Sequence, residues 1–290
     1  MLLLGPATAC ESDAAGEQAK AVEPGSTGSV KLNDRPFKLH VPRSYDPAAK
    51  VPLVVLLHGY TSNSAAADSY FKLTAESDRR GFLYATPDGT EDRRGKQHWN
   101  ATEACCDFYG RGTDDSAYLS KLVDTVKAGY SVDAKRVYFI GHSNGGFMSH
   151  RMACDHADVV AAIVSLAGMV TSKPETCKPA RAVTVVQIHG TQDETILFDG
   201  GSNGGQPYPS ATDTVAFWRK QNGCGDQAEA QVKPLDLDRG SDGPETVVTS
   251  YRAGCRDGSR AELWSIKDGR HVPALSAGFS ATVVDFLYSL

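Results

Sequence analysis

Residues 136–146 read Arg-Val-Tyr-Phe-Ile-Gly-His-Ser-Asn-Gly-Gly, an apolar strand running straight into a glycine-flanked serine. The pentad Gly141-His142-Ser143-Asn144-Gly145 fits G-x-S-x-G, the nucleophile elbow. A serine in a tight strand-to-helix turn exposes its hydroxyl, and glycines beside it let strand and helix approach closely. The helix expected over Asn144–Asp155 aims its N-terminal N–H groups at developing negative charge. The pattern alone is weak in a chain with 28 glycines, and Gly200-Gly201-Ser202-Asn203-Gly204 matches it too. Context separates the two. Ser143 follows an apolar strand and precedes a helix, whereas Ser202 sits in a glycine-rich loop with Pro207 and Pro209 after it.

Outward from the elbow, strands and helices alternate. Val51–Leu57 is a continuous apolar run, which marks a strand buried on both faces. Phe82–Thr86, Val160–Ala167 and Ala182–His189 read as further buried strands, and Glu245–Arg252 and Arg260–Ile266 as later ones. Ser29–Leu32 and Pro36–Val41 flank an Asn-Asp-Arg turn and predict a hairpin. Helices are expected over Ser64–Arg80, from the caps Thr113, Asp114 and Asp115 through Val126, over Thr212–Gln221 and over Phe279–Leu290. Thr90–Gly112 has no periodic pattern. The alternation predicts an α/β domain over residues 29–290, with a mainly parallel sheet covered on both faces.

An elbow serine is followed along the chain first by an acid and then by a histidine. Asp193 lies just past the strand ending at His189, in Gly190-Thr191-Gln192-Asp193, with Glu194 and Asp199 as alternatives. Of the eight histidines only His271 lies beyond Asp193, a short loop after Arg260–Ile266. Ser143 is therefore expected to attack an ester carbonyl, His271 to move the proton and Asp193 to orient His271. Two N–H donors are needed for the oxyanion, and the backbones of Asn144 and Tyr60 are the candidates, Tyr60 lying in the loop His58-Gly59-Tyr60.

Composition sets the outer limits. Hydrophobic residues make up 41% and charged residues 22%, ordinary for a globular chain. The net charge of −5, with no block of Lys or Arg, argues against a nucleic-acid partner. Residues 1–10, Met-Leu-Leu-Leu-Gly-Pro-Ala-Thr-Ala-Cys, look like the end of an export signal, with Cys10 a candidate for lipidation and the sole expected membrane link. Residues 11–28 read as a flexible tether. The six remaining cysteines suggest disulfides outside the cytoplasm, with fifteen connectivities open. Their spacing fits no metal site.

These segments together resemble the polyhydroxybutyrate depolymerase-like esterases, close to the feruloyl and acetylxylan esterases of carbohydrate esterase family one. The resemblance rests on Leu56-Leu57-His58-Gly59-Tyr60, Trp99-Asn100-Ala101, Ala104-Cys105-Cys106, Asp114-Asp115, Arg136-Val137-Tyr138, the elbow, His189-Gly190-Thr191-Gln192-Asp193, Asn222-Gly223-Cys224 and His271. It covers about residues 30–290 and implies an α/β-hydrolase fold, secretion, no cofactor and hydrolysis of carboxylic esters. It also implies the pairs Cys154–Cys177 and Cys224–Cys255, leaving Cys105–Cys106 as a vicinal pair. The chain departs from the family at Asp268-Gly269-Arg270-His271-Val272-Pro273, where members often carry Gly-Gly-Gly-His-x-Trp-Pro. Tyr60, Trp99, Phe108 and Tyr109 sit on loops expected to face the site, and Phe198 with the loop 199–209 on one rim; such aromatics suit an acyl or feruloyl group.

The resulting expectation is a secreted or cell-surface monomer that hydrolyses hydroxyalkanoate polyesters or oligoesters through an acyl-enzyme. The alternative is a feruloyl or acetylxylan esterase acting on plant cell-wall esters. A peptidase or acyltransferase on the same fold, or a non-catalytic surface lipoprotein, are the remaining readings.

Overall fold

The computed structural model describes residues 21–230 and 232–290. The export segment, Cys10 and residues 11–20 lie outside the described residues. In chain order the strands are β1 (Ser26–Val30), β2 (Phe37–Val41), β3 (Val51–Leu57), β4 (Leu83–Pro87), β5 (Thr90–Glu91), β6 (Gln97–His98), β7 (Val132–His142), β8 (Ala162–Leu166), β9 (Thr184–Gly190), β10 (Gly201–Asn203), β11 (Gln206–Tyr208), β12 (Thr246–Tyr251) and β13 (Ala261–Ile266). The helices are α1 (Ser64–Phe71), α2 (Leu73–Arg80), α3 (Asp115–Gly129), α4 (Asn144–Asp155), α5 (Ala211–Gln221) and α6 (Phe279–Tyr288).

Nine strands form one sheet in the order β1-β2-β4-β3-β7-β8-β9-β13-β12. The block from β4 to β13 is parallel, and antiparallel strands close both edges. The alternation of side chains along β3 explains the layers. Leu53, Val55 and Leu57 face one core with α3, α4 and α5, where Leu119, Phe147, Met148 and Trp218 pack. Val54 and Leu56 face the other, with Phe71 of α1, Leu73 of α2 and Phe279 and Val283 of α6. A strand read as continuously apolar is apolar because both its faces are covered. This is the α/β-hydrolase fold.

Three readings of the sequence shift. The helix expected over residues 64–80 is two, because Lys72 adopts a left-handed conformation (φ 54°) and lets both Phe71 and Leu73 turn inward. The tether gives way earlier than residue 29. Ser26–Val30 pairs with Phe37–Val41, and Val22 is buried with its N–H on the Tyr130 hydroxyl at 2.8 Å. Backbone pairing needs no apolar side chain, so a Ser-Thr-Gly strand leaves little trace in composition. Within the stretch without periodicity, Thr90–Glu91 and Gln97–His98 form a short ribbon. The cysteines pair as Cys105–Cys106, Cys154–Cys177 and Cys224–Cys255, which indicates an oxidising compartment.

The elbow is the tightest point of the fold. A Cβ on Gly145 would overlap the Leu57 carbonyl, and one on Gly141 the Gly145 carbonyl. At Gly129, near the end of α3, a Cβ would meet nothing. We therefore expect Gly145→Ala to cost about 3 kcal/mol or more through forced backbone movement, whereas Gly129→Ala is neutral or stabilising by up to about 1 kcal/mol. Thermal melts of both variants beside the wild type check this. Equal melting temperatures would mean that the elbow tolerates the extra carbon.

Candidate active site

Four loops meet at the C-terminal ends of parallel strands, where open α/β sheets bind their ligands. β3 leads into His58-Gly59-Tyr60, β7 into Ser143, β9 into Asp193 and β13 into His271. Ser143 takes φ 53° and ψ −120°, backbone that an L-residue adopts only under constraint. The constraint is the set of glycine contacts just described together with the Ser143 N–H donated to Leu166 of β8 at 2.7 Å.

Ser143, His271 and Asp193 are hydrogen-bonded in series. The Ser143 Oγ lies 3.0 Å from His271 Nε2, and His271 Nδ1 lies 2.8 Å from Asp193 Oδ2. The other carboxylate oxygen, Oδ1, accepts the backbone N–H groups of Thr195 and Ile196, both at 2.8 Å. Burial alone would push the Asp193 carboxyl up. Hydrogen bonds from His189 and His271, the charge of His271 and the Ile196 N–H outweigh it and hold the group well below the usual carboxylate range. Glu194 instead turns to solvent beside Arg270, and Asp199 is exposed. Ser202 lies exposed in the β10–β11 ribbon with no helix directly after it.

The His271 loop is held from several sides. A Cβ on Gly190 would overlap the Gly269 carbonyl, so the loops after β9 and β13 touch backbone to backbone. The Gln192 N–H bonds Gly269 at 2.9 Å. His142 Nε2 donates to the His271 carbonyl at 2.8 Å, and the Tyr70 hydroxyl to the Pro273 carbonyl at 2.8 Å. Burial, then the neighbouring His271, push His142 down to about 4, so it is a neutral donor at neutral pH. None of these braces was read from the sequence; the pairing of Gly190 with Gly269 had no signal beyond two glycines.

Asn144 does more than was expected of it. Its amide clamps the backbone of Trp99, Oδ1 accepting from the N–H at 2.7 Å and Nδ2 donating to the carbonyl at 2.9 Å. The Tyr60 and Asn144 backbone N–H groups, the two oxyanion candidates, have no protein acceptor among the described residues. A Cβ on Gly59 would come within 3.5 Å of Ser143 Cβ, so the β3 loop does lie against the elbow. His58 shapes that loop. Its Nε2 accepts from Gly89 N–H at 2.9 Å, which leaves Nδ1–H to donate to the Gly59 carbonyl at 2.8 Å.

A cleft of about 340 Å³ opens on Ser143 and His271, walled by Tyr60, Tyr70, Phe71 and Val272. The Tyr60 hydroxyl donates to Asp92 at 2.9 Å, and burial together with that carboxylate pushes the phenol up to about 12. Of the other aromatics singled out, none lines this cleft. Trp99 is fully buried, its indole nitrogen donating to the His58 carbonyl at 3.0 Å. It is core packing beneath the elbow and not a surface for substrate. Phe108 is exposed and packs edge-on against Tyr60 at 5.4 Å, and a Cβ on Gly204 of the β10–β11 turn would come within 3.3 Å of its ring. Tyr109 lies under the Arg93 guanidinium, and Phe198 packs edge-on against buried His189. A second cavity, of about 410 Å³ beside Asn100, Arg151 and Thr171, contains none of the groups in the hydrogen-bonded series. Among the described residues no cluster of three or more His, Cys, Asp or Glu is placed to hold a metal ion.

Comparison with known proteins assigns the chain to a family. The family model Esterase, described as "Putative esterase", matches residues 29–257. The chain belongs to this esterase family. It is a carboxylic ester hydrolase. It is 26% identical over 239 residues to feruloyl esterase B of Piromyces equi, covering 79% of this chain and 41% of that protein. To poly(3-hydroxyalkanoate) depolymerase C of Paucimonas lemoignei it is 32% identical over 146 residues, 49% of this chain and 33% of that protein. The chain thus spans less than half the length of either relative. In fold it is similar to an acetyl xylan esterase from Aspergillus awamori, with a TM-score of 0.68 at 14% identity over 92% of this chain and all of that one.

Because Asp193 has a lower pKa folded than unfolded, its contribution to stability is complete above the ordinary carboxylate pKa. That contribution is lost as pH falls below it toward the depressed folded value. The melting-temperature gap between wild-type esterase and Asp193→Asn should therefore be widest above about pH 5 and narrow steadily below about pH 4. A gap that stays constant down to about pH 2 would show that the folded carboxyl is not depressed.

Proposed function

We propose that this esterase is a secreted serine hydrolase that works through an acyl-enzyme, with Ser143 as nucleophile, His271 as general base and Asp193 as the group that orients it. The observation that carries the reading is the unbroken hydrogen-bond series from Ser143 Oγ through both ring nitrogens of His271 to Asp193. As the Ser143 oxygen bonds to the ester carbonyl carbon, its proton passes to His271 Nε2. The tetrahedral oxyanion is met by the Tyr60 and Asn144 N–H groups. Collapse breaks the bond to the alcohol, which leaves with the proton from His271. Water then repeats the sequence on the acyl-enzyme, giving the free acid and Ser143.

The cleft walls bear on the acyl group. Tyr60, Tyr70 and Phe71 line the cleft with aromatic side chains, which suit a flat hydroxycinnamoyl ring. A second reading, a hydroxyalkanoate oligoester, is supported by the identity to the depolymerase and by Val272. That side chain is 59% exposed at the cleft mouth, beside the point where the family's Trp is missing, which leaves the cleft open to a longer chain. Secretion is supported by the three disulfides and by the apolar start of the chain.

Comparing kcat/KM for methyl ferulate and a 3-hydroxybutyrate oligomer decides between the two. Methyl ferulate is expected to be preferred, and Ser143→Ala to lower either activity by roughly 10⁴-fold or more. Preference for the oligomer would favour the second reading. Activity surviving in Ser143→Ala would sink the nucleophile.

A further inference from the structure

A buried chain of polar groups runs from the core to the Asp193 turn, and none of it enters the reaction steps above. Trp218 of α5 donates its indole N–H to His150 Nδ1 at 3.0 Å. His150 of α4 reaches Gln187 Oε1 through Nε2 at 2.9 Å. Gln187 Nε2 lies 3.1 Å from His189 Nδ1, both residues on the same face of β9. His189 Nε2 lies 2.7 Å from the Ile196 carbonyl and 3.2 Å from Asp193 Oδ2. Trp218, His150, Gln187 and His189 are all fully buried, so bulk solvent does not reach them.

The direction of every hydrogen is dictated from one end. An indole nitrogen can only donate. His150 Nδ1 must then accept, and the neutral ring carries its hydrogen on Nε2. That hydrogen requires the oxygen of Gln187, so the amide NH₂ faces His189. His189 Nδ1 must accept, which leaves its hydrogen on Nε2, aimed at Ile196 and Asp193. A flipped Gln187 would set His150 with Nδ1–H against the Trp218 N–H, two donors face to face. Burial holds His150 down to about 4, which keeps it neutral in the physiological range.

We propose that Trp218, His150, Gln187 and His189 form a tautomer-fixing relay, and that His189 is a positioning residue for the Asp193 carboxylate. The inference rests on the reading of Asp193 as the acid that orients His271. With the opposite tautomer a lone pair on His189 Nε2 would face two oxygens, the Ile196 carbonyl and Asp193 Oδ2. The 193–196 turn would be pushed away from the geometry that places Oδ2 on His271 Nδ1. Asp193 is thus held by two backbone N–H groups on one oxygen, and its other oxygen lies between the rings of His189 and His271.

The test is 15N NMR of the imidazoles in the full chain, combined with kinetics. In the wild type, His150 and His189 should both show the neutral Nε2–H tautomer; either one as Nδ1–H overturns the relay. In Trp218→Phe, which leaves His271 and Asp193 untouched, His189 should become a mixture of tautomers. kcat should fall about fivefold with KM unchanged, as expected for about 1 kcal/mol of lost hydrogen bonding. A Trp218→Phe protein with His189 still wholly Nε2–H and kcat unchanged overturns the proposal. If that variant does not fold, His189→Phe serves instead. The low-field proton of the His271–Asp193 hydrogen bond should shift and kcat should drop, and an unmoved resonance with full kcat overturns it. The Ser143→Ala protein keeps the failures apart. Its imidazole signals test the relay without catalysis, and residual turnover in it counts against the triad alone.

Discussion

The close approach of three backbones at the elbow is the constraint on which the site depends. Gly145 lies against the Leu57 carbonyl at the end of β3, and Gly141 against Gly145 across the turn. Gly146 lies against β8, where a Cβ would stand 2.6 Å from Ser165 Oγ. With no side chain at these points, α4 can start directly beside two strands, and Ser143 is left as the one residue of the turn that carries its side chain outward. Its positive φ is maintained by packing that a single added carbon would disrupt.

The same principle recurs on the other side of the site. His271 and Asp193 come from loops far apart in sequence, and Gly190 against Gly269 brings these loops into backbone contact. Hydrogen bonds then fix what contact alone leaves loose: His142 on the His271 carbonyl, Tyr70 on Pro273, and Thr195 and Ile196 on Asp193. Electrostatics follows from this geometry. A carboxylate so surrounded by donors stays ionised although buried. Three neutral histidines, His58, His142 and His150, spend their ring nitrogens on structure.

Much of this was legible in the chain because it is local. The strand-serine-glycine sequence of residues 136–146, the apolar run of Val51–Leu57 and the chain order of serine, acid and histidine are each readable within a few residues. The misreadings were also physical. An aromatic in a stretch without periodicity reads alike whether it is buried or exposed, so Trp99 was expected at the surface of the site and lies beneath it. The break at Lys72 left no proline or glycine to mark it. Ser26–Val30 pairs through its backbone and so carried no apolar pattern.

The sequence by itself determined the α/β architecture, the elbow and the short set of residues from which the site could be built, because burial and turn geometry act on neighbouring residues. Only the tertiary structure decided that Oδ2 of Asp193, rather than Glu194 or Asp199, meets His271. It alone showed that Asn144 clamps Trp99 and that polar side chains of α4, α5 and β9 converge under Asp193. Hydrogen bonds between residues tens of positions apart depend on distances and directions that exist only once the sheet has closed around its two cores, and no spacing along the chain records them.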